Sequence, residues 1–296
     1  MKIALVCYHV LEKYQHQTVK DEDGPLLDFL QLKGLDIHRV VWNDPAVKWG
    51  DYDAVVIKAP WDYHEQLDKF ISWLEMLTNL GCTVLNPVDV IKWNSDKHYL
   101  VEIAKAGLPV ISTVILEPGD EINIEELRNN LSTETLVFKP CVSAGAKHTY
   151  KIDRTNEADM LPKLKTLVQT DSFLVQEFSP EVVTEGEWSY IFFNGEFSHA
   201  LVKKPGSGDF RVQHYFGGTI HIKDATSSQI RMAEKYVSQY AKGCLYARVD
   251  GIMRDGIFYL MELELIEPLL FLAYSHEGSE AAQTRYYNAL TGMLNS

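Results

Sequence analysis

The stretch that most restricts how this chain can fold is Tyr246-Ala-Arg-Val-Asp250-Gly-Ile-Met-Arg-Asp-Gly-Ile-Phe-Tyr-Leu-Met-Glu262-Leu-Glu264, followed by Leu-Ile-Glu267-Pro268. Two runs of alternating apolar and polar residues meet at Arg254-Asp255-Gly256, the pattern of a β-hairpin. A three-residue loop with Gly256 in the left-handed position pairs Met253 with Ile257 and sets Asp250 across from Leu260. Arg248, Asp250, Glu262 and Glu264 then share one face. A two-residue Asp255-Gly256 loop turns both glutamates to the other face, because a one-residue slip reverses every side chain. Three carboxylates on one face repel one another and rise in pKa unless a cation neutralises them. Hard oxygen ligands without clustered Cys or His point to Mg²⁺, with Asp250, Glu262 and Glu264 as candidate metal ligands. The competing reading is a hairpin whose acids simply face water.

The chain has 296 residues, 46% of them hydrophobic, enough for one large or two to three small cored domains. A formal net charge of −13 argues against nucleic acid or an anionic membrane as partner. No apolar run approaches the roughly 20 residues of a membrane helix. The N-terminal apolar run has no small-residue cleavage site and is followed by Glu12 and Lys13, so it is expected to be a strand and not a signal peptide. The four cysteines, at 7, 82, 141 and 244, are far apart and signal neither disulfides nor zinc, which favours a reducing cytoplasm.

Along the chain, strands at 2–8, 36–42, 53–60 and 83–85 alternate with helices at 24–34 and 67–80, as in a parallel α/β layer. Ligands of such layers bind beyond the C-terminal strand ends, which makes Tyr8-His9 and Lys58 to Tyr63 candidate substrate positions. Trp61 and Tyr63 are expected to pack at a helix start. Residues 88–106 are expected to form one helix containing Lys97. Strands follow at 110–116, 135–139 and 173–178, with helices at 123–129 and 158–168. The small-residue loop Lys139-Pro-Cys-Val-Ser143-Ala-Gly145-Ala-Lys147 offers backbone N–H groups to phosphate without Walker spacing. Asn194-Gly195 turns a hairpin. Lys203-Lys-Pro-Gly-Ser-Gly-Asp209-Phe-Arg211-Val-Gln213 has the composition of a mobile flap. A helix at 227–242 leads into the hairpin at 246–264.

The series Lys97, Phe-Lys139-Pro, the small-residue loop, Val-Gln176-Glu177-Phe178, Gly186-Glu187, Arg248-Val-Asp250-Gly and Glu262-x-Glu264 resembles the ATP-grasp superfamily, from Lys2 to about Pro268. It is most similar to glutathione-synthetase-like members and, among these, to the cycloserine-forming branch. Trp61-Asp-Tyr63, Asn86-Pro87, Trp93-Asn-Ser-Asp96-Lys97 and Gly208-Asp-Phe-Arg211 carry that likeness. The resemblance implies an α/β plus α+β architecture. A Rossmann-like N-terminal domain (1–88) precedes a central lid with its lead-in helix (89–180) and a C-terminal ATP-grasp subdomain with the Mg²⁺ and ATP site (181–296).

It also implies an ATP-dependent carboxylate-amine ligase or cyclo-ligase that activates a small amino-acid-like substrate as an acyl phosphate. Lys97, Lys139 and the backbone of Ser143, Ala144 and Gly145 then face the ATP phosphates. Gln176, Glu177 and Phe178 face adenine, Glu187 the ribose, and Lys203 a phosphate or a substrate carboxylate. Asp250, Glu262 and Glu264 hold Mg²⁺, and Arg211 and Arg248 serve the transferring phosphoryl group. Cys141, His199 and His214 are expected to be structural. Two departures stand out: Glu264 replaces an asparagine common among relatives, and Glu267-Pro268-Leu-Leu replaces a glycine-containing substrate loop. Homodimers occur among relatives. An ATP-binding regulatory protein of the same fold, without turnover, and a metal hydrolase built on the carboxylates are the competing functions.

Overall fold

A computed structural model describes residues 1–8 and 21–295, so the candidate His9 lies outside the described residues. Three sheets organise them. In the first, β1 (Lys2–Cys7), β2 (Asp36–Val41), β3 (Ala54–Ala59) and β4 (Thr83–Leu85) lie in the order β2-β1-β3-β4, all parallel. The helices Asp23–Leu32 and Leu67–Asn79 are the crossovers that parallel strands require. The second sheet is antiparallel, β5 (Thr113–Leu116), β8 (Phe173–Glu177), β6 (Leu136–Pro140) and β7 (Tyr150–Ile152), with its own core of Phe138, Leu164, Phe173 and Val175.

The third sheet runs β11 (Thr219–Ile222), β10 (Glu196–Lys204), β9 (Glu187–Phe193), β12 (Tyr246–Arg254) and β13 (Ile257–Glu264). Its strands alternate with a period of two. One face sends Trp188, Tyr190, Phe192, Val202, Val249 and Leu263 into the largest core, under the helix Ser227–Tyr240. The other face is divided. Its far end, Ile191, Phe193, Leu201 and Tyr246, packs against Ile3, Leu5 and Val56 of the parallel sheet and Tyr286 of the terminal helix Ser279–Leu294. Its near end is charged.

The hairpin that constrains the chain reaches its register by a route the sequence did not disclose. The loop is the two-residue Asp255-Gly256, both at positive φ (52° and 77°), and Arg254 pairs with Ile257, not Met253 with Ile257. Unbroken, that register would bury the glutamates, because Phe258, Leu260, Glu262 and Glu264 alternate in phase. A bulge at Met261 resets the phase: Gly251 pairs with Leu260, yet Asp250 pairs with Glu262 and Arg248 with Glu264. Phe258 and Leu260 therefore enter the core while both glutamates join Arg248 and Asp250 on the charged end.

The expected single helix over 88–106 is two helices, Val88–Asn94 and Tyr99–Lys105, and Lys97 sits in the turn between them. Side-chain bonds to backbone compete here with helix formation. Asn94 donates to Leu263 O (2.8 Å) and accepts from Leu265 N–H (3.0 Å), while the Asp96 carboxylate accepts the His98 N–H (3.0 Å). Asn86 is tied the same way to Leu245, Tyr246 and Leu265. The segment is thus strapped onto the end of β13, beside Glu262.

His199, buried on β10, is bonded through Nε2 to Leu270 O (3.0 Å), and burial lowers its pKa to about 4. A histidine held neutral in the fold contributes stability above its unfolded pKa near 6.5, and that stability is lost as pH falls toward 4. The shift corresponds to about 3 kcal/mol at most, at 1.36 kcal/mol per unit. His199→Gln should flatten the decline in denaturant midpoint between pH 6.5 and 4; an unchanged decline would remove His199 from the account.

Candidate active site

A cleft of about 730 Å³ opens between the second and third sheets and extends to the C-terminal end of the parallel sheet. Every candidate residue named above for nucleotide, metal or phosphoryl group lies on its wall. The charged end of the third sheet is its floor. There Glu187 on β9 faces Lys203 on β10 across one register pair, at 2.6 Å. Ser189 faces Asp250 in the next pair and donates to it at 2.6 Å.

Asp250 is the hub of this floor. It accepts from Ser189 Oγ, from Lys203 Nζ (3.0 Å) and from Arg248 through Nε (3.1 Å) and Nη2 (2.9 Å). Burial alone would raise its pKa, but Arg248 and Lys203 hold it at about 2. Both of its oxygens are therefore engaged by cations, whereas Glu262 and Glu264, each beside one cation, Lys97 and Arg248 in turn, also line the cleft. Arg248 is fixed further by donation to Leu269 O (2.8 Å) and a close pair with Glu264. Burial, together with Glu262 and Asp250, pushes Glu264 up to about 7 against the pull of Arg248. That is the crowding expected of acids arranged for a cation.

The opposite wall is the small-residue loop. Lys97 donates to Ser143 O (2.7 Å) and pairs with Glu262 (3.3 Å), so it bridges loop and floor. Among the described residues the Lys139 ammonium makes no hydrogen bond or ion pair; burial lowers its pKa, with Glu262 and Glu187 opposing. A half-buried, unmatched ammonium facing a cleft is a strong site for an anion. Gly145 has φ +61°, and a Cβ there would lie 2.9 Å from the Tyr215 hydroxyl, so the flap closes directly on this loop.

At the strand end, Gln176 is buried and donates to Thr113 (2.9 Å), whereas the Glu177 carboxylate is taken by Arg254 (2.9 Å). Ile111, Val137, Val182, Val212 and Met261 line the adjoining space, an apolar slot of the kind a flat heterocycle fills. None of these five is marked by the sequence as a site residue. Each alone is an ordinary core position, and only the β13 bulge brings Met261 to the wall.

The flap is more built than its composition suggests. Lys203 belongs to β10, not to the flap, and is buried. Arg211 is locked to Asp209 (2.8 Å) and lies 3.3 Å over the Phe216 ring, with its place on the cleft wall. A Cβ on Gly218 would come within 2.0 Å of Val212 O. Gly218→Ala should shift the flap by an ångström or more and lower kcat/KM by roughly 100-fold, with the thermal midpoint little changed; steady-state kinetics beside a melt checks this.

Other expectations divide. Lys58 is no free substrate contact: it is fully buried between Glu22 and Asp23, at 3.0 Å from each. Tyr63 packs in the core on Phe70, as expected. Trp61 instead lines the cleft, stacked on Tyr8 (5.1 Å) and donating to Glu267 O (3.1 Å). Cys141 is buried, its thiol pushed up to about 12 by burial. The side chain of His214 lies outside the described residues.

Comparison with known proteins bears on the fold and the family. Residues 3–86 match the family described as D-cycloserine synthetase DcsG, N-terminal domain. The chain is 27% identical over 275 residues to the cycloserine biosynthesis protein DcsG of Streptomyces lavendulae, covering 86% of this chain and 89% of that one. A crystal structure of D-cycloserine synthetase DcsG superimposes with TM-score 0.80 and 25% identity over 99% of this chain and all of the other. D-alanine–D-alanine ligase from Bacillus anthracis, complexed with ATP, shares the fold at TM-score 0.70 and 17% identity, over 100% of this chain and 96% of that one. Residues 108–270, more than half of the chain, match the ATP-grasp domain of prokaryotic glutathione synthetase, and the chain belongs to that family of ATP-grasp ligases.

Proposed function

We propose that this chain is an ATP- and Mg²⁺-dependent carboxylate-amine ligase or cyclo-ligase acting on a small amino-acid-like substrate. The observation that carries it is the convergence, on one cleft, of an apolar slot, an unpaired Lys139 beside a glycine-bearing loop, and a buried cation pair around Asp250. The slot takes the purine. Lys139, Lys97 and the backbone at Ser143, Ala144 and Gly145 take the phosphates. Glu262 and Glu264 would hold Mg²⁺: their hard oxygens suit that ion, and burial and crowding already raise the pKa of Glu264. Asp250 joins them only where a phosphate draws Lys203 away, with Arg248 staying in place. Bound there, Mg²⁺ neutralises charge on the phosphates.

The chemistry joins a carboxylate to an amine in two steps. A substrate carboxylate oxygen attacks the γ-phosphorus of ATP, ADP leaves, and the resulting acyl phosphate is attacked by a neutral amine with loss of phosphate. Arg248 and Arg211 stay cationic throughout and stabilise the oxygens that gain charge. Glu187, tied to Lys203, faces the ribose. The substrate sits toward Trp61 and Glu267, at the end of the cleft nearest the parallel sheet. Ring closure, as the name of the cycloserine relative suggests, and ligation to a second molecule share this machinery. The domain limits at 88/89 and 180/181, a cytoplasmic location, the absence of nucleic-acid and membrane partners and a homodimer belong to the same proposal.

Phosphate release by the purified chain, with ATP, Mg²⁺ and a panel of amino acids and their ureido, amide and hydroxamate derivatives, tests it. Release of ADP and phosphate only with particular panel members is expected. Tight ATP binding without release under any of them would favour the regulatory reading, and hydrolytic activity without ATP the hydrolase.

A further inference from the structure

The turn that carries Lys97 builds a second constellation on its far side. Asp96, His98 and Cys141 each present a ligand atom, all within 4.8 Å of one another, although the residues come from two separate parts of the chain. Asp96 Oδ1 lies 2.5 Å from His98 Nδ1, and His98 Nε2 lies 3.1 Å from Glu117 Oε1. Cys141 is buried at the base, whereas Asp96 and His98 are partly exposed, leaving one side open to water. Glu117 is held in turn by Ser172 Oγ (2.8 Å).

The geometry points to a Zn²⁺ site formed by Asp96, His98 Nδ1 and Cys141 Sγ, with water as the fourth ligand. The donor set of one thiolate, one imidazole and one carboxylate suits zinc and not magnesium, which takes oxygen alone. Metal–donor bonds of about 2.0–2.3 Å put tetrahedral donors roughly 3–4 Å apart, so the Asp96–His98 contact must open from 2.5 Å and any separation near the 4.8 Å limit must close. Glu117 supplies what metal-bound histidines regularly have, a carboxylate receiving the other ring N–H and fixing the tautomer. On binding, the Cys141 thiol and His98 Nδ1 release their protons to solvent, and Nε2–H stays on Glu117.

The site's position gives it a consequence. Lys97 N–H donates to Cys141 O (3.0 Å), and Lys97 Nζ reaches Ser143. Zinc therefore clamps the turn bearing Lys97 to the start of the phosphate-facing loop.

Co²⁺ titrated into the chelator-stripped full chain, in excess Mg²⁺, tests it spectroscopically. One equivalent should bind with a thiolate-to-cobalt charge-transfer band in the near ultraviolet, displaced by Zn²⁺, and Zn²⁺ should raise the thermal midpoint. C141S should lose the band, H98A should weaken binding at least tenfold, and E117Q should weaken it roughly 10- to 100-fold. Should C141S fail to fold, H98A, altered at a partly exposed side chain, decides. Absence of the band, binding undiminished in H98A, or Zn²⁺ uptake undiminished in a folded C141S would overturn the site and place the metal elsewhere, the cleft glutamates included.

Discussion

Arg248→Met should lower kcat by about 10²- to 10³-fold, the range found when a single fixed donor to a developing oxyanion is removed. The guanidinium is directed by Asp250, Leu269 O and Glu264 before any substrate arrives, so no reorganisation is needed at the moment of reaction. The same substitution strips Asp250 of its bidentate partner. Breaking a buried pair costs about 3–5 kcal/mol, but Lys203 and Ser189 remain on Asp250, which brings the expected loss nearer to 1–3 kcal/mol, the cost of an unmet buried acceptor. Arg248→Lys separates the two effects. It keeps the charge and loses the fork, and should recover much of the stability with little of the rate. Single-turnover kinetics beside urea midpoints would read both; equal recovery of rate and stability would mean that Arg248 acts only as a structural partner.

The double substitution Glu262→Gln and Glu264→Gln should reduce ATP-dependent phosphate release by about 10³-fold or more, the several kcal/mol attributed to a bound metal's charge stabilisation. Either single substitution should raise the Mg²⁺ concentration for half-maximal rate at least tenfold. Stability should move the other way. Glu264 is pushed up to about 7, chiefly by burial, so the fold favours its protonated form, and the strain of carrying its charge grows as pH rises from the ordinary carboxylate range through 7. A neutral glutamine imitates the protonated form. At pH 8 without metal, Glu264→Gln should therefore melt no lower than the parent chain, and higher if the bond to Arg248 survives. Loss of both activity and stability would show that the glutamates are there to hold the sheet together.

Elements whose side chains repeat locally were legible in the sequence. The parallel layer follows from continuous apolar strands and helical spacing between them, and the Asn194-Gly195 hairpin from its turn residues alone. The charged residues of the hairpin were legible too, because apolar and charged residues alternate along it, as at Arg248 and Asp250 inside β12. What escaped depends on long-range contacts. The Met261 bulge has no local signature: period-two counting places Phe258 and Glu262 on one face, and only the competition between a core that needs Phe258 and a cleft that needs Glu262 separates them. The helix break at Lys97 arises because Asn94 finds partners on β13, far along the chain. Trp61 was readable both as a candidate substrate position and as helix-start packing, and the contact with Glu267 that accompanies its place on the cleft wall is a long-range one.

Co-crystallisation with a non-hydrolysable ATP analogue and Mg²⁺ tests the central claim most directly. The triphosphate is expected over Lys139 and the loop at 143–145, with the metal on Glu262 and Glu264 and the purine in the slot at Ile111, Val182 and Met261. Density for the nucleotide anywhere else, or phosphates turned away from Arg248 and Lys203, would contradict the account.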